Sequence, residues 1–373
     1  MALDLQKVTQ AIGKTGFKLE FEIGNILRLN GWHLISNRCY IDDLEGTVRE
    51  IDLLAYKVNI VEGISIYTVI IVSCKKSEAN AWALLSRPIE QNDPNANWRP
   101  FKGWSNHPAI DYYLSKMTWA AAYHEKLSNI CPSLFSPPSV DVFAFQEISK
   151  ANHTCQNDKN IFSSITSLMK AQAYEMSILD KRQANTKRYY QFNLVSVIDS
   201  EIARVYFNGD SIETSSIKSE DYLCRYILNE REEVARIKFV TAEAFSGALE
   251  EYSTLHQGNC KIVAEHYQDF YADAYKQGPK ARMLLGDFNK LVKPAIISSL
   301  LRNRRSLDGF GDVSLFWFGS RNLLQIEIDY KFSDFETLEL LNSDKQLSKR
   351  LETILADVYQ YHGDFEIDEH IPF

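Results

Sequence analysis

An α/β fold follows from three observations. A helical stretch opens the chain, three β-rich segments follow in close succession, and the third of these holds an unbroken apolar run. Residues 4–30 read as helix with a break between Gly13 and Gly16, and Gly31 is a suitable residue to end it. Residues 32–40, 48–56 and 64–74 are rich in Ile, Val, Leu and Tyr. Turn-prone Asp42-Asp43-Leu44-Glu45-Gly46 and Glu62-Gly63 separate them. Val69-Ile70-Ile71-Val72 has the pattern of a strand covered on both faces, so the second and third strands are expected at the centre of a sheet.

Residues 87–108 carry Pro88, Pro94, Pro100 and Pro108 and read as a long irregular excursion. The pattern then predicts a helix over 110–129, a strand over 139–148 and a helix over 160–184. A hairpin of 189–199 with 202–207 follows, and then a strand over 237–241. From about residue 258 the regime changes to a helix before Gly278-Pro279, a basic helical stretch to Arg305, a hairpin of 313–318 with 323–330, and a final helix over 335–361. The expected division is therefore 1–257 and 258–373, the second part an α+β region that is first basic and then acidic.

At 373 residues and 45% hydrophobic content the chain can bury a large core. Six cysteines lie scattered without a CxxC pair, which argues against a zinc module or a disulfide framework and for a reducing cytoplasm. No basic leader precedes an apolar run and no stretch approaches the length of a membrane span, so neither secretion nor membrane insertion is expected. The net charge of -8 gives no general sign of a nucleic-acid binder. It is unevenly placed, with eight Lys/Arg against one acid between Lys276 and Arg305, and 14 acids against 5 basic residues from Ser306 onward. Lys290, Lys293, Arg302, Arg304 and Arg305 could face a polyanion, or pair with the acidic tail. Lys181-Arg182 with Lys187-Arg188-Tyr189-Tyr190 is a second basic-aromatic cluster that could grip phosphate and stack on bases.

Side chains two apart on a strand share a face, which groups Glu50 with Asp52 and Ser73 with Lys75. On neighbouring strands Asp52 and Lys75 can meet at one sheet edge. A carboxylate oxygen there suits a hard cation, and an ammonium can orient or deprotonate a water. No GxxxxGK, GxSxG or HExxH motif competes with this reading. Asp312 followed by Glu327, Asp329 and Lys331 spells a similar pattern, read here as alternating charge on an exposed strand.

Three ordered segments, Leu19-Glu20-Phe21-Glu22 running to Gly31-Trp32, Arg49-Glu50-Ile51-Asp52, and Ser73-Cys74-Lys75-Lys76-Ser77, resemble the motifs of the PD-(D/E)xK, restriction-endonuclease-like nucleases. The resemblance covers roughly residues 16–82. It implies a mixed central sheet flanked by helices and a Mg²⁺- or Mn²⁺-dependent DNA endonuclease, with defence against foreign DNA in bacteria as the role that family analogy suggests. It further implies Asp52 as the central metal ligand, Lys75 as the catalytic lysine, the Cys74 carbonyl as a further ligand, Glu20 (or Glu22) as the helix glutamate, and Lys76 beside bound DNA. Expected partners are DNA and either a second copy or a defence-system protein. The departure is Ser73, where the family carries a glutamate. Either a displaced carboxylate completes the site, with Glu90 the choice and Glu78 and Glu50 the nearer substitutes, or the site is inactive and the fold binds DNA or a partner protein.

Overall fold

The computed structural model describes residues 3–42, 46–93, 97–182, 186–228, 230–330 and 335–370. The expected Asp43-Leu44-Glu45 turn, Pro94, Ala184 at the end of a predicted helix, and Lys331 lie outside the described residues. Two units make up the chain, residues 1–107 with 114–262 and residues 108–113 with 263–373.

The first unit begins with helices α1 (Leu5–Gly13) and α2 (Gly16–Leu29). Asp4 caps α1 by accepting from the backbone N–H groups of Gln6 and Lys7. Past the end of α2, Gly31 adopts φ 74° and the N–H of Trp32 returns to the Leu27 carbonyl, a C-terminal cap that only glycine enters without strain. Strands β1 (His33–Ile41), β2 (Val48–Val61) and β3 (Ile64–Lys76) form an antiparallel meander. Glu62 and Gly63, both at positive φ, make the tight turn between β2 and β3.

After β3 come β4 (Asn80–Arg87), β5 (Gly103–Ser105), α3 (Pro108–Leu114), α4 (Trp119–Ser128), α5 (Pro132–Phe135), β6 (Asp141–Ser149) and α6 (Lys159–Ser177). The chain continues through β7 (Arg188–Asp199), β8 (Ile202–Asn208), β9 (Ser211–Ile217), β10 (Ser219–Leu228) and β11 (Arg231–Thr241). The main sheet has the order β1-β2-β3-β7-β11-β10, with β5 also paired to β7. β7 runs parallel to β3 from Ser65↔Arg188 to Lys76↔Asp199. A second sheet has the order β6-β4-β8-β9.

Leu53 lies against the α2 face, where a methyl group added to Gly24 would come within 3.1 Å of Leu34 and 3.9 Å of Leu53. The next residue, Leu54, points the other way, into a core shared by Ile71, Leu194 and Phe239 with Ile161, Ile165 and Leu168 of α6. Helices therefore cover both faces of β2 and β3, which is why Val69 to Val72 are all apolar.

Several expectations change here. The stretch between Lys75 and Glu90, given no element above, contains strand β4. Its Ala and Leu favour helix, but Trp82, Ala83 and Leu84 are buried between β6 and β8, and that pairing overrides local propensity. β7 and β8 form no hairpin, because after Asp199 the chain leaves the main sheet and β8 joins β4. The helix over 110–129 is split into α3 and α4, and that over 160–184 ends at Ser177. Strands β9 and β10 were not foreseen.

A buried polar chain ties the long helix α7 (Phe245–Ala272) to β3. Asn259 donates to Thr68 Oγ1 at 2.8 Å, the Thr68 hydroxyl lies 3.0 Å from His256 Nδ1, and Tyr123 donates to Asn259 Oδ1 at 2.7 Å. With Asn259 donating to it, the Thr68 hydroxyl is able to donate its own proton to Nδ1 of a neutral His256. Burial pushes the His256 pKa down to about 4.

In the second unit, α8 (Gly278–Arg302) is followed by β12 (Val313–Phe318), β13 (Leu323–Ile328), α9 (Phe335–Ser343), α10 (Lys345–Tyr359) and β14 (Phe365–Glu369). β12 and β13 are antiparallel, and β14, also unforeseen, adds parallel to β13. The expected final helix is two helices, because Asp344 accepts from the N–H groups of Gln346 and Leu347 and so caps a new start. Among the described residues no helix is long and apolar enough to cross a membrane.

Two outcomes follow from this packing. Trp82→Ala should cost about 3–5 kcal/mol in urea unfolding, since its whole side chain is enclosed. A neutral His256 stabilises the fold fully above its ordinary value of 6.5, and that contribution is lost as the pH falls towards 4, where the unfolded chain binds a proton the fold refuses. His256→Gln should therefore lose less stability than wild type between pH 7 and pH 4.5, by an amount on the order of 3 kcal/mol in paired urea titrations.

Candidate functional site

The predicted residues of β2 and β3 meet where the two strands run out. Asp52 Oδ2 accepts the Cys74 N–H at 2.7 Å and the Ser73 hydroxyl at 3.2 Å. Ser73, only 2% exposed, thus fills the expected glutamate position as a hydrogen-bond donor to the aspartate. A glutamate there would bury a second negative charge against Asp52, which only a bound cation would make tolerable. Ser73 pairs across the ladder with Ser196, whose hydroxyl lies 2.7 Å from that of Ser164 on α6.

Glu20 approaches from α2. Leu19, Ile23 and Leu27 form the buried face of that helix, and helical spacing sets Glu20 at its rim. Burial, then the charges of Asp52 and Glu50, raise the Glu20 pKa above the ordinary carboxylate range, while Lys75 opposes them. Glu22 lies on the outer face, 3.6 Å from Lys18. Lys75 is half-buried and has no ion-pair partner within 4 Å among the described residues. Cys74 is buried, and burial followed by the charges of Asp52 and Glu20 pushes its thiol pKa well up, so it is a neutral thiol. Glu50 is exposed and accepts from Asn37 Nδ2 at 2.8 Å. Asn37 itself has φ 55°, an interruption of β1 beside the site that its residue type alone did not announce.

Other predicted residues lie elsewhere. Glu90 follows β4 and lines a cleft of about 530 Å³ with Arg87, Asp93, Asp141 and Arg225, and no described contact joins it to Asp52. Glu78 is exposed and pairs with Lys76 at 3.0 Å. Lys76 also donates to the Gly13 carbonyl at 2.8 Å, holding the turn between α1 and α2. Tyr189 and Tyr190 are 1% and 7% exposed, and Tyr190 stacks on Tyr67 at 4.4 Å, so this pair belongs to the core and not to a base-stacking surface.

The basic segment meets the acidic tail. Lys293 pairs with Asp312, Arg302 with Asp344 and Gln346, and Arg305 with Glu336 at 3.5 Å, while Lys290 pairs with Asp287 at 2.8 Å. Arg304 is exposed beyond the end of α8. Much of the positive charge is thus neutralised within the second unit. In the alternative Asp/Glu/Lys pattern, Asp312 is taken by Lys293, and Glu327 by His370 and Ser314. Among the described residues no group of three or more His, Cys, Asp or Glu side chains is arranged to hold a metal ion.

No protein-family model, no curated protein and no solved structure matches this chain.

Glu20 gives a direct test of this electrostatic arrangement. A raised carboxyl stabilises the fold most below the ordinary value of 4.5, and the contribution is lost as the pH rises through the raised value. Glu20→Gln should therefore melt higher than wild type at pH 7 and equally at pH 4. A lower melting temperature at pH 7 would contradict the arrangement.

Proposed function

We propose that this chain is a Mg²⁺-dependent nuclease of the restriction-endonuclease-like kind that hydrolyses phosphodiester bonds in DNA. The observation that carries the reading is the order α2, β1, β2, β3, α6, β7, a helix, an antiparallel meander, a covering helix and a parallel strand, with Glu20, Asp52 and Lys75 brought near one another at the start of β2 and the end of β3. That is the frame in which the three resembling segments would be expected to lie.

The donor set fits an open cation site. Mg²⁺ is commonly held by one or two carboxylates, with waters and substrate phosphate oxygens completing its shell, so Glu20 and Asp52 suffice without a closed cage. When bound, the ion supplies positive charge at the phosphate oxygens. Asp52 is held in one orientation through its Oδ2 by the Cys74 N–H and the Ser73 hydroxyl. Lys75, without an ion-pair partner among the described residues, can orient an attacking water or meet phosphate charge. Six free cysteines support a reducing, cytoplasmic setting. A role in bacterial defence rests on the resemblance alone.

A second reading has its own observation. Ser73 in place of an acid, and no three-acid group among the described residues, favour a nuclease fold that binds DNA or a partner protein without cutting it. Plasmid cleavage in Mg²⁺ or Mn²⁺ separates the two. The enzyme reading expects nicking or linearisation that Asp52→Ala and Lys75→Ala each reduce by at least about 10². No cleavage by wild type with either metal, or cleavage indifferent to both substitutions, establishes the second reading or a different site. Independently of activity, Mg²⁺ should raise the melting temperature of wild type and not that of Asp52→Ala.

A further inference from the structure

Helix α1 has no buried residue, yet its sequence is strongly amphipathic. Leu5, Val8 and Ile12 recur at helical spacing and are 71%, 36% and 53% exposed. On α2 the face turned away from Leu19, Ile23 and Leu27 carries Phe17 and Phe21, 68% and 67% exposed, and Leu3 just before α1 is 74% exposed. A helix of nine residues is marginal in water unless its apolar face is covered. Nothing among the described residues covers this one.

We propose that the α1–α2 surface is the interface of a homodimer, in which the apolar face of one copy packs against the same face of a second. The area supports this occupant. Phe17 and Phe21, about two-thirds exposed, offer on the order of 250 Å² at roughly 150–250 Å² for an aromatic side chain, and Leu3, Leu5, Val8 and Ile12 extend that apolar surface towards the ~800 Å² each partner of a standard interface buries. The charge pattern supports it as well. Lys7 lies 3.8 Å from Asp4 and Lys18 3.6 Å from Glu22, so the apolar stripe is flanked by charges already paired locally. Such a rim offers neither the unbroken basic face that draws an amphipathic helix to an anionic membrane nor the one-sided charge that selects an oppositely charged partner. Two copies of one apolar patch related by a twofold axis satisfy each other.

The interface also has a consequence for the candidate site. Glu20 is on the same helix as Phe17 and Phe21, at the rim of its inner face, and Lys76 holds the α1–α2 turn through the Gly13 carbonyl. Pairing through this surface brings the Glu20-bearing helices of two copies together. The proposal stands on exposure and area and does not require that the site cut DNA.

Sedimentation equilibrium of the full chain in the absence of metal tests it. Wild type should dimerise in the micromolar range, and Val8→Glu with Ile12→Glu should weaken the dimer at least about 100-fold. Because both side chains are exposed in the monomer, the variant's circular dichroism should match that of the wild-type monomer at low concentration. Phe17→Ser with Phe21→Ser, on the neighbouring helix, should weaken dimerisation in the same direction. A wild type that stays monomeric to high micromolar concentration, whatever else it binds, overturns the proposal. Dimerisation unaffected by both double variants overturns it too.

Discussion

The parallel pairing of β3 with β7 is the constraint on which the rest of the first unit depends. It runs the full length of both strands, from Ser65↔Arg188 to Lys76↔Asp199. A parallel partner cannot be reached by a tight turn, so the chain between them must travel away and return through a covering element, here ending in α6. That crossover buries the α6 face of β3, while α2 buries the other, and an all-apolar stretch at Val69–Val72 becomes the only stable content for the strand. The pairing also persists beyond the main sheet. Past Lys76 and Asp199 the two chains leave together and continue side by side as β4 and β8 in the second sheet, where Trp82 stands opposite Ile202. Ser77 donates its N–H to the Asp199 carbonyl and Trp82 to that of Glu201, so the junction is closed by backbone bonds.

The candidate site sits where that junction begins. Strands that end together leave polar side chains at the margin of a packed core, and Ser73 and Lys75 are the last positions before the chain departs. Asp52 arrives beside them because the β2–β3 register is fixed by the tight Glu62-Gly63 turn. A shift of one residue would send Asp52 into the opposite face and Leu53 out of the α2 interface. The position of the carboxylate is thus a product of turn chemistry and core packing, and it does not depend on a cation. This explains how the arrangement can hold with a serine at position 73: the Ser73 hydroxyl and the Cys74 N–H satisfy one oxygen of Asp52, so the half-buried acid is not left without partners.

Much of this frame was legible in the sequence because its signals are local. The Gly13–Gly16 break, the Gly31 cap, the Glu62-Gly63 turn and the apolar run of β3 each act within a few residues, and the three segments they delimit appear with nearly the expected bounds. Helical period set Glu20 beside Ile23 and Leu27 and Glu22 beside Ile26 and Leu29 without deciding between them, and the burial of Leu19, Ile23 and Leu27 puts Glu20 at the inner rim with Glu22 outward. What was not legible depends on partners distant in sequence. The Ala-Trp-Ala-Leu-Leu segment of β4 is a strand only because β6 and β8 flank it, and β7 and β8 separate only because β4 waits in another sheet. Glu90 follows β4 away from Asp52 for the same reason. For the basic stretch before Arg305 composition left a polyanion and the acidic tail as alternatives, and the fold pairs Lys293, Arg302 and Arg305 with Asp312, Asp344 and Glu336 of that tail.

The chemistry left at the end of β2 and β3 is therefore that of incomplete compensation. Asp52 has hydrogen bonds to one oxygen, Glu20 is disfavoured as an anion by burial and by its acidic neighbours, and Lys75 is near enough to moderate Glu20 without pairing with any acid. A purely structural cluster would be expected to relax into an ion pair between Lys75 and one of the carboxylates, because leaving buried charges unpaired costs more than joining them. Packing prevents that relaxation: Asp52 is drawn towards the β3 backbone, and Glu20 is fixed by the helix whose neighbours Leu19 and Ile23 are enclosed. On the proposed reading, this separation would leave the two acids open to a cation and the lysine open to a phosphate.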